Sequence, residues 1–151
     1  MRITTKGRYG LRAVINLAMA RHNRPVSISS IANEEKVSSE FLEQIFFKLK
    51  KAGLIRSVRG PGGGFVLERK PSEITVHDIL YAVGEMKGLT PCTLRRRALC
   101  DREEPCSAHE IWVGLQKAME DYLRGITLKS ILDQNGKTFL ASLDVGQDFS
   151  I

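Results

Sequence analysis

No run in this sequence approaches the roughly 18 uninterrupted apolar residues that a bilayer span requires. Hydrophobic residues still make up 42% of the chain, the share expected of a globular protein. A secretion core is also missing. Arg2, Lys6 and Arg8 are followed by a stretch broken by Arg12 and Asn16, which reads as a helix and not as a signal peptide. The expected compartment is the cytoplasm, with no membrane partner. Cysteine is scarce: three residues, an odd number that argues against a disulfide framework. The glycine run Gly62-Gly63-Gly64 lacks a following Gly-Lys-Ser/Thr, so a nucleotide phosphate loop is not expected. No nucleophile-and-base pair with an orienting acid stands out, which argues against covalent catalysis and hence against an enzyme. Internal repeats and low-complexity tracts are absent.

What is present is charge, unevenly spread. Of 151 residues, the first 70 hold fourteen Lys or Arg against five acidic residues, a balance of +9; the remainder hold nine against twelve, a balance of −3. A basic first half is the footprint of a polyanionic partner. The length suits one compact domain plus an appendage.

The first half reads as three helices and a hairpin. Residues 6–21 carry a broad apolar face of Tyr9, Leu11, Val14, Ile15, Leu17 and Ala18. Pro25 interrupts it. A short helix follows over 28–35, capped by Ser27 or Ser29. A tight turn at Lys36-Val37 leads to a third helix from Ser38 or Ser39 to about Ala52, with Gly53 at its C-terminal cap. Phe41, Leu42, Ile45, Phe46 and Leu49 form its buried stripe. Two β-prone runs, 54–59 and 65–68, flank the tip Gly60-Pro61-Gly62-Gly63-Gly64, a hairpin signal. Helix, helix-turn-helix and hairpin in this order predict a mainly α chain whose residues 1–70 form a winged helix-turn-helix domain.

Residues 71–107 are expected to hold a connecting helix, 75–83 with Thr75 and Asp78 as capping box, and a loop carrying the cysteines. Ser107-Ala108-His109-Glu110 is a Ser-x-x-Glu capping box predicted to open a long helix to about Arg124. Thr127 caps a last short helix. Segment 108–133 is thus expected as a dimerising helix plus a short terminal one, and 134–151 as a polar, flexible tail.

In a winged helix the third helix reads the major groove with its N-terminal residues. The apolar stripe leaves Ser38, Ser39, Glu40, Glu43 and Gln44 outward. Gln can pair with adenine, and Glu can accept from the cytosine amino group. At the tip Arg59, Gly60, Pro61, Gly62 and Gly63 suit close approach to a sugar–phosphate rail or a narrow minor groove. Arg2, Lys6 and Lys48, with Arg8, Lys50, Lys51 and Arg56, are candidate phosphate contacts that add affinity but no sequence information. Ile111, Trp112, Leu115, Met119, Tyr122 and Leu123 form an apolar face on the long helix that a two-fold dimer would bury, presenting two reading helices to a palindromic operator.

The cysteines are spaced Cys92-x7-Cys100-x5-Cys106-x2-His109. Cys106 precedes a helix and His109 lies in its first turn, so both side chains can converge on one centre. The helix N-terminus and Arg95, Arg96 and Arg97 favour thiolate. Three thiolates and an imidazole can hold zinc or an iron–sulfur cluster. The missing Cys-x2–4-Cys knuckle and the long spacings favour the cluster. Zinc, or thiol chemistry without metal, is the alternative. His22 and His77 have no cysteine neighbours and are expected to be structural.

Met1-Arg2-Ile3-Thr4-Thr5-Lys6-Gly7-Arg8-Tyr9, Phe41-Leu42-Glu43-Gln44-Ile45-Phe46, Val58-Arg59-Gly60-Pro61-Gly62-Gly63-Gly64-Phe65, the stretch from Cys106 to Trp112, and Ile126-Thr127-Leu128 together resemble the IscR-type family of iron–sulfur regulators. That family also includes the nitric-oxide sensor NsrR and the iron regulator RirA. The resemblance covers residues 1 to about 132. It implies a homodimeric DNA-binding repressor-type regulator that senses cluster, redox, iron or nitric-oxide status. Its cluster would be 2Fe–2S, with 4Fe–4S as the alternative, held by Cys92, Cys100, Cys106 and His109. It further implies a role for Glu43 in cluster-dependent promoter choice. Two positions depart: the first cysteine gap is longer than usual, and Glu40 stands where a DNA-contacting Ser is expected, so the operator is expected to differ.

Overall fold

The computed structural model describes residues 3–93 and 106–134. Arg2, Arg95, Arg96, Arg97, Cys100 and the expected tail beyond Gln134 lie outside the described residues.

Six helices and one hairpin make up the described chain, in the order of a winged helix-turn-helix domain followed by a long helix and a short one. Helix α1 is Thr5–Met19, with Thr4 as N-cap. It ends two residues before the expected 21, because His22 and Asn23 turn left-handed at φ 56° and 53°. Helix α2 is Ile28–Glu35, capped by Ser27, whose hydroxyl accepts from the Ser30 amide. Lys36, at φ 55°, makes the turn of the helix-turn-helix. Helix α3 is Ser39–Lys51, capped by Ser38. Arg12 pairs with Glu35 at 2.7 Å and Asn16 donates to Glu34, pinning α2 on α1.

Strands β1, Ile55–Val58, and β2, Gly64–Leu67, pair antiparallel, with Ile55 opposite Leu67 and Val58 opposite Gly64. Val26 adds an isolated bridge to Phe65, its amide and carbonyl both bonded, at 3.0 and 2.8 Å. This bridge ties the wing to the segment before α2. It needs Gly64: a Cβ there would lie 2.5 Å from the Val26 carbonyl oxygen.

Helix α4, Val76–Val83, starts at the expected Thr75–Asp78 capping box, with both reciprocal bonds made at 3.0 and 3.1 Å. Helix α5 is His109–Arg124 and α6 is Leu128–Asp133, the latter capped by Thr127. The expected Ser107 capping box does not form. The N-cap is Ala108, already in the right-handed helical region, with no side-chain cap bond. The entry is instead a tight turn in which the His109 amide donates to the Cys106 carbonyl at 2.9 Å.

Val14, Ile31, Leu42, Phe46, Leu49 and Ile79 are fully buried in one core shared by α1–α4 and the hairpin. Leu128 of α6 lies in that same core. The Val76 amide donates to the Ile126 carbonyl, and the Leu128 amide to that of Ile74, both at 2.9 Å. The chain after α5 is thereby stitched to the start of α4. No helix among the described residues is long and apolar enough to cross a membrane.

Gly64→Ala is expected to lower unfolding free energy by about 1–3 kcal/mol, the range for overpacking a tight contact. Urea denaturation of the two proteins checks this, and equal midpoints would refute the Val26 contact as its cause.

Candidate nucleic-acid interface and thiol centre

Helix α3 buries Leu42, Ile45, Phe46 and Leu49 and leaves Glu40, Glu43 and Gln44 exposed. The hydroxyl oxygen of Ser38 accepts from the Phe41 amide at 3.2 Å. Ser39 is half-buried on the first turn. The same outer face carries a residue that the sequence reading missed, Phe47, which is 69% exposed. The signal was available: Phe47 lies seven residues after Glu40, two turns along one side of the helix.

The wing tip exposes Arg59, Gly60, Pro61 and Gly62. Its glycines do two jobs. Gly60 and Gly62 have φ of 105° and 71° with open space around them, so the tip is a left-handed turn that L side chains rarely adopt. Gly63 is half-buried, and a Cβ on it would meet the Val58 carbonyl oxygen at 2.5 Å. Its lack of a side chain serves the hairpin itself.

The expected phosphate contacts divide. Lys6, Arg8, Lys50, Lys51, Arg56 and Arg59 are exposed. Lys50 also donates to Ser57 at 3.2 Å, and Arg56 pairs with Glu68 at 3.3 Å, bracing α3 and the hairpin. Lys48 is directed elsewhere. Its ammonium donates to the Val83 carbonyl at 3.2 Å, a favourable place for a cation at the C-terminus of α4.

Cys92 lies on a 3-10 turn, Pro91–Thr93, that packs against α5. The turn is held by Thr93, whose hydroxyl accepts from the Leu89 and Thr90 amides at 3.0 and 3.1 Å. The Cys92 thiol is half-buried and 3.1 Å from the Thr90 hydroxyl. Cys106, also free and half-buried, stands three residues before His109 at the head of α5. Among the described residues no three of His, Cys, Asp or Glu gather into a metal-holding group. The donor chemistry nevertheless suits a thiophilic centre: two free thiols bound the segment that carries Cys100, and an imidazole follows on the next turn.

The stretch leading to Cys92 is fastened to α1. Glu85 accepts from the Thr4 amide at 3.0 Å and from the Thr4 hydroxyl. Gly7 makes room for it, since a Cβ there would lie 2.7 Å from the Glu85 side chain.

Helix α5 buries no residue fully. Gln116, Met119, Glu120 and Leu123 are half-buried on the side facing the domain, Leu123 against Val76, Leu80 and Ile126. On the other side Ile111, Trp112, Leu115 and Tyr122 are exposed. Arg124 bonds Glu120 at 2.9 Å and approaches His77, whose ring stacks on Tyr81. His77 thus has a structural part, as expected. The Gln116 amide, donating at 3.0 Å, and the Arg124 guanidinium together hold the Glu120 carboxyl below the usual glutamate range, against its partial burial.

A family described as Rrf2, iron-dependent transcriptional regulator, matches residues 3–134. The HTH-type transcriptional regulator IscR of Erwinia tasmaniensis is 37% identical over 133 residues, which is 88% of this chain and 79% of that protein. The solved structure of T. potens IscR superposes with a TM-score of 0.72 at 33% identity, covering 89% of this chain and 88% of the other. CymR, the global cysteine regulator of B. subtilis, superposes with a TM-score of 0.73 at 34% identity, covering 88% and 97%.

Because its pKa is lower folded than unfolded, Glu120 adds stability above the ordinary glutamate range and loses it as pH falls through the lowered value. Glu120→Gln is therefore expected to be less stable than the wild type at neutral pH, with the gap closing in acid. Thermal melts of the two proteins at neutral pH and at successively lower pH check the sign, the expected result being a gap that narrows as pH falls.

Proposed function

The chain belongs to the Rrf2 family of transcriptional regulators, and from that premise we propose that it binds operator DNA as a homodimer and gates that binding with an iron–sulfur cluster. Its relatives are regulators, not enzymes. DNA binding follows from the family and from the winged-helix architecture.

In this reading Ser38, Ser39, Glu40, Glu43 and Gln44 enter the major groove, with Glu43 and Glu40 rejecting sites that offer no donor. Arg59, Gly60, Pro61, Gly62 and Gly63 form the wing that follows the backbone or minor groove, and Arg2, Lys6 and Lys48 supply charge near it. For Lys48 this would require release from Val83, to which it is bonded. Ile111, Trp112, Leu115 and Tyr122 form the dimer seam, with half-buried Met119 and Leu123 at its edge, where Leu123 also packs on its own domain. Such an exposed apolar stripe is covered economically by a second copy of itself.

Cys92, Cys100, Cys106 and His109 would hold the cluster, 2Fe–2S in type, with 4Fe–4S as the alternative. When bound, the cluster supplies a reducible iron centre whose occupancy tracks iron and oxidant supply. The chain's part is to present thiolates near the N-terminus of α5, where the helix dipole favours negative charge, and to couple that centre to the dimer through the Cys92 turn packed against α5. The carrying observation is that free, half-buried Cys92 and Cys106 flank one short segment, the first on a turn packed against α5 and the second at its head. A second reading, thiol chemistry without metal, is favoured by the likeness to a cysteine regulator.

Protein purified without oxygen is expected to be coloured, with iron and acid-labile sulfide in equal amounts, and Cys92→Ala or Cys106→Ala to bleach it. Colourless protein carrying stoichiometric zinc, or no metal with thiols that oxidise reversibly, would replace the cluster reading. Leu115→Glu is expected to yield a monomer by light scattering, with operator affinity down at least tenfold. Arg59→Ala is expected to weaken binding to all sequences and to shallow the salt dependence by about one charge.

A further inference from the structure

Phe46 and Phe47 stand side by side, one in the core and one in solvent. Phe46 is fully buried against Phe65, with ring centroids 4.9 Å apart. Phe47 is 69% exposed and belongs to neither core cluster. An isolated exposed apolar residue is ordinary on a protein surface. The position of this one is not. Residues 40, 43, 44 and 47 follow the i, i+3, i+4, i+7 spacing by which a helix in the major groove brings successive side chains to base edges. Glu40, Glu43 and Gln44 are all exposed on that face, and Phe47 is their apolar fourth member.

The polar three can read hydrogen-bonding edges only. Cytosine offers a donor to Glu, and adenine offers both bonds to Gln. Thymine differs in carrying a methyl group into the groove, and an apolar side chain reads it. From residue 40 to residue 47 the helix rises about 10 Å, roughly three base-pair steps at 3.4 Å. Phe47 therefore meets a pair that the N-terminal residues do not.

We propose that Phe47 is a base-reading residue that recognises a thymine by its 5-methyl group, specifying one T·A pair in each half-site. The proposal rests on the DNA-binding reading above and adds to it the chemistry of one more position.

The test is selection from a random duplex library by the wild type and by Phe47→Ala, followed by affinity measurements on the wild-type winner. Each thymine in that duplex is replaced in turn by deoxyuridine, which lacks only the methyl. At one thymine per half-site, deoxyuridine is expected to weaken wild-type binding about three- to fivefold, the worth of one buried methyl. Phe47→Ala is expected to bind both duplexes equally and to select a motif degenerate at that position. Phe47→Leu, still apolar, should retain part of the preference. If both proteins select one motif with the same thymine-to-deoxyuridine ratio, Phe47 does not read thymine. The proposal also falls if Phe47→Ala changes only the oligomeric state, which would assign the ring to a protein contact. If the wild type enriches no sequence at all, the DNA-binding reading itself fails.

Discussion

The edge-to-face contact of Phe46 with Phe65 joins helix α3 to the hairpin. Phe46 comes from the inner side of α3, and Phe65 is the second residue of β2, next to the glycine tip. Phe65 is also held on its backbone by Val26. One aromatic pair and two backbone hydrogen bonds, with the Lys50–Ser57 bond beside them, tie the wing to α3 and to the segment before α2. Aromatic pairs of this geometry add about 0.5–1.5 kcal/mol beyond the area they bury. Their larger effect is positional. A helix and a wing that straddle a duplex must keep a fixed separation, and a rigid ring contact sets it better than long charged side chains would.

Helix α5 follows a different rule. It buries nothing fully, yet it is not a solvated rod. One side rests on the domain through Leu123 and through Arg124, which reaches His77 of α4, and the other presents Ile111, Trp112, Leu115 and Tyr122. The two sides divide the labour. Charged and hydrogen-bonded groups fix the rotation of the helix about its axis, and that rotation decides which apolar residues point away from the domain.

Much of this was legible in the sequence because it rests on local chemistry. Thr75 and Thr127 cap the helices they were expected to cap, and of the pairs Ser27 or Ser29 and Ser38 or Ser39 the first of each is the cap, since a hydroxyl at that position satisfies otherwise orphaned amides whatever surrounds it. The hairpin followed from two β-prone runs and a glycine tip. The Ser107 box misled for the reason that the others succeeded: the pattern was right, but the preceding turn already delivers Ala108 in a helical conformation, leaving no extended N-cap. Lys48 was illegible for a tertiary reason: only the packing of α3 on α4 shows that it has the Val83 carbonyl within reach. Phe47 was legible and overlooked, since the apolar stripe already placed Phe46 inside and left Phe47 outside it. For the cysteines, spacing offered only a candidate chemistry, and the meeting of the Cys92 turn with α5 depends on a fold that no spacing encodes.

The Glu85 contact links two places far apart in sequence. Thr4 caps α1, and the carboxylate that holds its amide and hydroxyl belongs to the chain segment running on toward Cys92. Gly7 leaves an empty notch into which that carboxylate slots. The leading turn of α1 and the path of residues 85–92 therefore share a single clasp: the segment cannot be drawn away without unfastening the first residues of the helix, and the helix cannot fray there without slackening the segment.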